Sequence, residues 1–232
     1  LFSPADMDIL NKEFNRYIKD CVPKMKDQEV YYVDKSNKDT LMQMQKLEEY
    51  DNFFYDLFYN SKIKDLAANA LGEDVHPRAM EYFNKPPGKS KPTPPHQDGF
   101  YFNLDNDKAV TGWLALEDVD DENGCIHYVK GSHSKEEYRP HGKSEILGFS
   151  QGVTDFGTEE DKINTVKFEG KAGMFLMHHA KTIHFASPNK SLVRSRRAFG
   201  FVYHGVSAKH NIEKEKVDQK KLHDELKEKK II

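Results

Sequence analysis

With 232 residues the chain is sized for a single domain that can bury a substantial core. Its 35 Lys and Arg nearly balance 38 Asp and Glu, so the net charge of −3 provides no broad basic field for nucleic acid. The two cysteines, Cys21 and Cys125, lie too far apart in sequence to suggest a disulfide framework, and no apolar run approaches the roughly 20 residues of a membrane span.

An intracellular, cytoplasmic location is the corresponding expectation. The opening Leu1-Phe2-Ser3-Pro4 has neither the basic nor the apolar region of a signal peptide. It also lacks an initiator Met, so a targeting segment can precede it.

In chain order, the first predicted element is a helix. Ser3-Pro4-Ala5-Asp6 supplies an N-cap, a proline in the first turn and a capping acid, and Met7, Leu10, Phe14 and Tyr17 recur at helical spacing. Pro23 marks its end, and Val30 to Val33 reads as a short strand. Residues 39–72 read as helical again. Leu41, Met44 and Leu47 form one stripe, Phe53, Phe54, Leu57 and Phe58 another beyond a turn at Asp51-Asn52, and Ser61 and Gly72 bound a last helix.

After Gly72 the texture changes to short β-rich segments between turn residues: 79–83, 100–104, 111–116, 125–129, 165–168, 174–177 and 198–203. The expected fold is mainly β with a helical N-terminal layer, its core a double-stranded β-helix (jelly roll, cupin-like). Residues 1–75 form the helical support and 76–208 the jelly-roll core. A lid-like loop occupies 135–161, and 209–232 is a charged C-terminal helix or tail.

His96 and Asp98, two residues apart behind Pro94-Pro95, share one face if the backbone there is extended, which makes them candidate corners of a divalent-metal site. A third ligand is available in Met177-His178-His179-Ala180-Lys181-Thr182-Ile183-His184. With His184 the set becomes two histidines and a carboxylate, the facial triad of non-haem Fe(II) oxygenases. Arg196, about a dozen residues later, offers a planar fork for a carboxylate. The other histidines have plainer readings: His76, His210 and His223 at the surface, His133 bracing a turn, and His127 on a strand facing either side. Arg139, His141 and the Phe149-Ser150-Gln151 segment are candidate substrate contacts, as is His179.

Three ordered motifs carry a family resemblance: Pro95-His96-Gln97-Asp98; Glu122-Asn123-Gly124-Cys125 running to Gly131-Ser132-His133; and His184 to Asn189, Ser191, Ser195-Arg196-Arg197-Ala198. Over about 79–203 the chain resembles the phytanoyl-CoA dioxygenase family. The resemblance implies Fe(II), 2-oxoglutarate and O2, with His96, Asp98 and His184 as metal ligands and Arg196 on the far carboxylate of 2-oxoglutarate. It also implies that Gln97, Trp113 and Met80 line the cosubstrate pocket. Relatives often carry a serine two residues after the third ligand. Here that position is Ala186 and Ser187 follows, so Ser187 is the candidate contact, and the longer spacing keeps Arg197 as a rival to Arg196. Gln43 or Gln45 can replace an upstream lysine of some relatives.

The implied activity is oxidation of a C–H bond of a small-molecule metabolite, by hydroxylation, desaturation or cyclisation, with release of succinate and CO2. Related halogenases lack the carboxylate that Asp98 supplies. The family name suggests an acyl-CoA, but no basic patch is evident for its phosphates, so a free polar metabolite is preferred. No nucleic acid or membrane partner is expected, and the chain is read as a monomer or weak homo-oligomer. Two rival readings are a cupin-like metal enzyme that does not use 2-oxoglutarate and a non-catalytic jelly-roll binding module.

Overall fold

The computed structural model describes residues 1–88, 90–143 and 151–213, without the side chains of Lys143 and Gln151. The readings that involved Phe149, Ser150, the Gln151 side chain, His223 and the charged tail past residue 213 lie outside the described residues. Among the described residues no helix is long and apolar enough to cross a membrane.

Helix α1 (Pro4–Asp20) begins as its sequence requires. The Ser3 hydroxyl accepts from the Asp6 amide while the Asp6 carboxylate accepts from the Ser3 amide, which satisfies donors that a helix start leaves open. Its buried stripe is Met7, Leu10, Phe14 and Tyr17. Strands β1 (Val30–Tyr32) and β2 (Leu41–Gln45) follow, then α2 (Asn52–Tyr59), capped by Asp51, and α3 (Lys62–Leu71), capped by Ser61. Gly72 closes α3 at φ 70°, a conformation that glycine adopts without a Cβ penalty.

The stretch expected to be a helix around Leu41, Met44 and Leu47 is instead strand β2. Leu41 and Met44 are buried three residues apart, which imitates a helical stripe. Pairing with β3 (Val75–Lys85) imposes period two, so Met44 packs into the core while Gln43 and Gln45 line the opposite, cavity face.

The remaining elements are β4 (Thr93–His96), α4 (Gly99–Phe102), β5 (Ala109–Ala115), β6 (Ile126–Val129), β7 (His141–Lys143), β8 (Gln151–Val153), α5 (Glu159–Asn164), β9 (Thr165–Phe168), β10 (Phe175–His179), β11 (His184–Ala186) and β12 (Arg196–Gly205). The strand expected at 100–104 is thus a helical turn over part of that range.

Two antiparallel sheets form the body. One has six strands in the order β1-β2-β3-β12-β5-β10, the other four in the order β4-β11-β6-β9. From β3 to β6 each successive strand changes sheet, and the alternation resumes from β9 to β12. The chain therefore winds as a double-stranded β-helix. Within the expected lid, β7 and β8 form a separate hairpin.

The six-stranded sheet has two unlike faces. Its outer face carries Met80, Tyr82, Phe199, Phe201 and Tyr203, all covered by the helices in one hydrophobic cluster. Phe14 meets Phe199 edge-on at 5.0 Å and Tyr82 at 4.7 Å, and Phe54 joins the same cluster. Its inner face turns toward the second sheet, and a smaller apolar cluster that includes Trp113, Ala115, Ile126 and Ala198 packs there. Phe14 is fully buried, so Phe14→Ala should lower the unfolding free energy by about 3–5 kcal/mol in urea titrations, with the folded-state circular dichroism retained.

Candidate active site

β4 ends at His96 and β11 begins at His184, and these two residues sit opposite each other in the four-stranded sheet. Their ring centroids are 4.1 Å apart. The backbone leaves the strand after His96, and Asp98 has helical dihedrals as the N-cap of α4. The expectation of one extended His-x-Asp face is therefore corrected: a turn, not strand alternation, brings the carboxylate beside the imidazoles.

Asp98 Oδ1 lies 3.4 Å from His96 Nε2 and 3.5 Å from His184 Nε2. Each imidazole is oriented from behind, because His96 Nδ1 donates to the Pro94 carbonyl at 2.8 Å and His184 Nδ1 to the Thr182 carbonyl at 3.0 Å. A carbonyl can only accept, so the proton sits on Nδ1 and the Nε2 lone pair faces Asp98. All three ligand atoms fall within 4.8 Å of one another. Two imidazole nitrogens and one carboxylate oxygen, with both rings oriented by outer hydrogen bonds, suit a divalent transition metal.

Asp98 is held on its other side as well. Oδ2 accepts from Thr111 Oγ1 at 2.6 Å and from His178 Nε2 at 3.1 Å, and His178 Nδ1 in turn accepts from Tyr128 Oη at 2.8 Å. Thr111 and His178 are register partners across β5 and β10. Burial works to raise the Asp98 carboxyl, but His184, His178 and His96 outweigh it and keep it well below the usual carboxylate range. Burial, then the neighbouring His96 and His178, holds His184 well below the usual imidazole value.

The triad opens on a cavity of about 1070 Å³ between the sheets. Arg196, at the start of β12, is 5% exposed and lines it. Its guanidinium carbon stands 5.5 Å from the centroid of the Trp113 ring, within cation–π range. Its Nε is buried without a hydrogen-bond partner, and burial depresses its pKa to about 10. A buried guanidinium with a free donor fits an incoming carboxylate. Arg197 faces the other way, its amide and Nε on the Glu117 carboxylate. Lys85, the register partner of Arg196, donates to the Lys91 carbonyl at 2.6 Å; burial, then the charge of Arg196, pushes it down to about 6.

Trp113 lines the cavity, whereas Met80, Gln97 and Ser187, which the resemblance placed in the cosubstrate pocket, do not. Met80 is fully buried in the core beneath the helices, because strand alternation gives the cavity to its neighbours Ala79 and Glu81. Gln97, 1% exposed, is a brace: its amide donates to the Lys181 carbonyl at 2.7 Å and accepts from the Arg139 amide at 2.9 Å. Ser187 sits 3.0 Å from His127 Nε2, outside the cavity that Ala186 lines.

Other candidates resolve similarly. The Arg139 side chain is engaged by Asp155 and Asp161, and His141 stacks on Phe100 with centroids 4.0 Å apart. His179 Nδ1 accepts from the Lys181 amide. His210, read as a plain surface residue, lines the cavity. His127 stacks on Phe185 at 4.6 Å and belongs to a second close group with Asp121 and Cys125. Burial, then the Asp121 hydrogen bond, pushes the Cys125 thiol up to about 12. Thr111, Tyr128, Glu81 and Lys85 were not singled out from sequence, and His178 was noted only as part of its histidine cluster. The sole signal for His178 was that clustering.

The phytanoyl-CoA dioxygenase family model matches residues 1–198. A Stutzerimonas stutzeri protein named "Probable alpha-ketoglutarate-dependent hypophosphite dioxygenase" is 28% identical over 176 residues, covering 73% of this chain and 60% of the relative. The phytanoyl-CoA dioxygenase of Arabidopsis thaliana is 31% identical over 157 residues, covering 66% and 53%. The chain thus spans less than two thirds of the length of either relative. Among solved structures, the epimerase SnoN in complex with Fe3+, alpha ketoglutarate and nogalamycin RO superposes with a TM-score of 0.69 at 22% identity, over 90% of this chain and 78% of that one. EctD from S. alaskensis with 2-oxoglutarate and 5-hydroxyectoine gives a TM-score of 0.69 at 18% identity, over 91% and 72%. These likenesses establish the fold as the jelly roll expected from the sequence. With its family model matched over residues 1–198, the chain belongs to the phytanoyl-CoA dioxygenase family.

Proposed function

We propose that the protein is an Fe(II)- and 2-oxoglutarate-dependent dioxygenase that oxidises a C–H bond of a small-molecule metabolite and releases succinate and CO2. The observation that carries this reading is the pairing, in one cavity, of the His96/Asp98/His184 donor set with the buried, acid-free guanidinium of Arg196. A cupin-like metal enzyme without 2-oxoglutarate has no evident use for that arginine, and a passive binding module has no evident use for the aligned imidazoles.

His96, Asp98 and His184 would hold the iron, and Arg196 would hold the far carboxylate of 2-oxoglutarate against the Trp113 face. Iron and 2-oxoglutarate together supply the oxygen-activating chemistry. The chain's own part is alignment. The Pro94 and Thr182 carbonyls fix the imidazole tautomers, while Thr111 and His178 fix Asp98 so that Oδ1 faces the metal position. Tyr128 keeps His178 Nδ1 occupied as an acceptor and thereby directs the Nε2 proton to Asp98. The apolar cluster of Trp113, Ala115, Ile126 and Ala198 keeps water from that end of the barrel.

Anaerobic titration of Fe(II) and 2-oxoglutarate should produce a weak visible charge-transfer band, and His184→Ala should abolish it. No band and no succinate release from the wild-type protein would overturn the assignment. Arg196→Ala removes a charged hydrogen-bond partner and should weaken 2-oxoglutarate binding roughly 10- to 100-fold in the same titration, with Fe(II) binding retained. His178→Ala should weaken metal binding by about 10- to 100-fold in calorimetric titrations of the metal alone, and equal affinity would remove His178 from the supporting set.

A further inference from the structure

One wall of the cavity carries two acids that the proposed iron and 2-oxoglutarate sites do not use. Glu81 comes from β3 and lines the cavity with its strand neighbours Ala79 and Phe83 and with Gln43 of the paired strand β2. Glu48, from the turn after β2, lines the same wall, and its Oε2 is buried without a hydrogen-bond partner. Lys46 is engaged by Glu29 and Glu49 instead, and among the described residues neither Glu48 nor Glu81 forms an ion pair. Burial pushes both carboxyls up to about 7. The charge of Asp98 adds to this effect at Glu81, which puts Glu81 within electrostatic reach of the metal position.

Arg196 and Lys85 stand at one end of the inner sheet face, whereas Glu81 and Glu48 stand further along the β2–β3 wall, where Lys46 and Arg78 also line the cavity. Between Glu81 and Trp113 the register runs through Gly200, where an added Cβ would come 2.9 Å from the Phe83 ring. With no side chain at Gly200, the Phe83 ring packs over that position of the inner face. A second metal ion does not fit the acids. Among the described residues the close groups of three or more ligand atoms are His96/Asp98/His184 and Asp121/Cys125/His127, and neither contains Glu48 or Glu81. An organic cation needs no such convergence, since one carboxylate and an amide can hold an ammonium while a second carboxylate supplies field.

We propose that Glu81, with Gln43 and Glu48 on the same cavity wall, binds an ammonium group of the substrate, so that the substrate class is a small amine-bearing metabolite. The proposal rests on the oxygenase reading only in taking this cavity as the substrate cavity. It is tested on the full metal-free chain by calorimetric titration at pH 8 with n-butylamine, 1-butanol and butyrate, which share a carbon skeleton and differ in charge. The amine should bind at least ten times more tightly than the alcohol or the acid. Glu81→Gln should lose at least tenfold of the amine affinity, Glu81→Asp should retain part of it, and a thermal melt checks that both variants fold. Absent amine binding by the wild-type chain, equal binding of the three probes, or undiminished binding by folded Glu81→Gln would overturn the proposal. The comparison of probes on the wild-type chain stands even if a variant fails to fold. Amine selectivity without the Fe(II)–2-oxoglutarate band would sink the oxygenase assignment alone, whereas the band without amine selectivity would sink this proposal alone.

Discussion

The site depends on one carboxylate being gripped from both sides. Asp98 presents Oδ1 to two imidazoles while Oδ2 is bound by Thr111 and His178. Burying a carboxylate is costly unless its lone pairs are satisfied, and here the partners come from both sheets. The grip therefore requires the sheets to be assembled: β5 and β10 supply Thr111 and His178, β4 and β11 supply the imidazoles, and β6 supplies Tyr128. Binding of the proposed metal would consequently be linked to folding, because a site of this kind does not exist in the unfolded chain.

Strand alternation then sorts the rest. On β3, Met80 and Tyr82 go to the aromatic core while Ala79, Glu81, Phe83 and Lys85 go to the cavity; on β12, Phe199 and Phe201 go out while Arg196, Gly200 and Val202 go in. The helices matter to the chemistry through this division. By covering one face of the six-stranded sheet with Phe14, Phe54 and Phe58, they allow the other face to be given over to polar groups.

Much of this was legible in the sequence. The Ser3-Pro4-Ala5-Asp6 cap, the α1 stripe, Ser61 and Gly72 are local signals, and local hydrogen bonding decides them. The three ordered motifs carry the family, and they include His96, Asp98 and His184, whose donor atoms converge. Register and facing were less legible. The sequence marks Met80 where Glu81 faces the cavity, and Gln43 and Gln45 fall in a stretch with helical spacing, because a one-residue shift on a strand exchanges faces and no local signal fixes the shift. His178 and Thr111 support Asp98 from 80 and 13 residues away, so only the pairing of β10 with β5 brings them to it together.

Gln97 has a consequence of a different kind. Placed between His96 and Asp98, it ties the Lys181 carbonyl, three residues before His184, to the Arg139 amide. Arg139 in turn clamps Asp155 and Asp161. Arg139, and through it Asp155 and Asp161, is thus tied to the backbone that carries His96, Asp98 and His184. Substitutions at Arg139, Asp155 or Asp161 would therefore be felt as altered spacing of His96, Asp98 and His184, whereas substitutions on surfaces outside this chain of contacts would not.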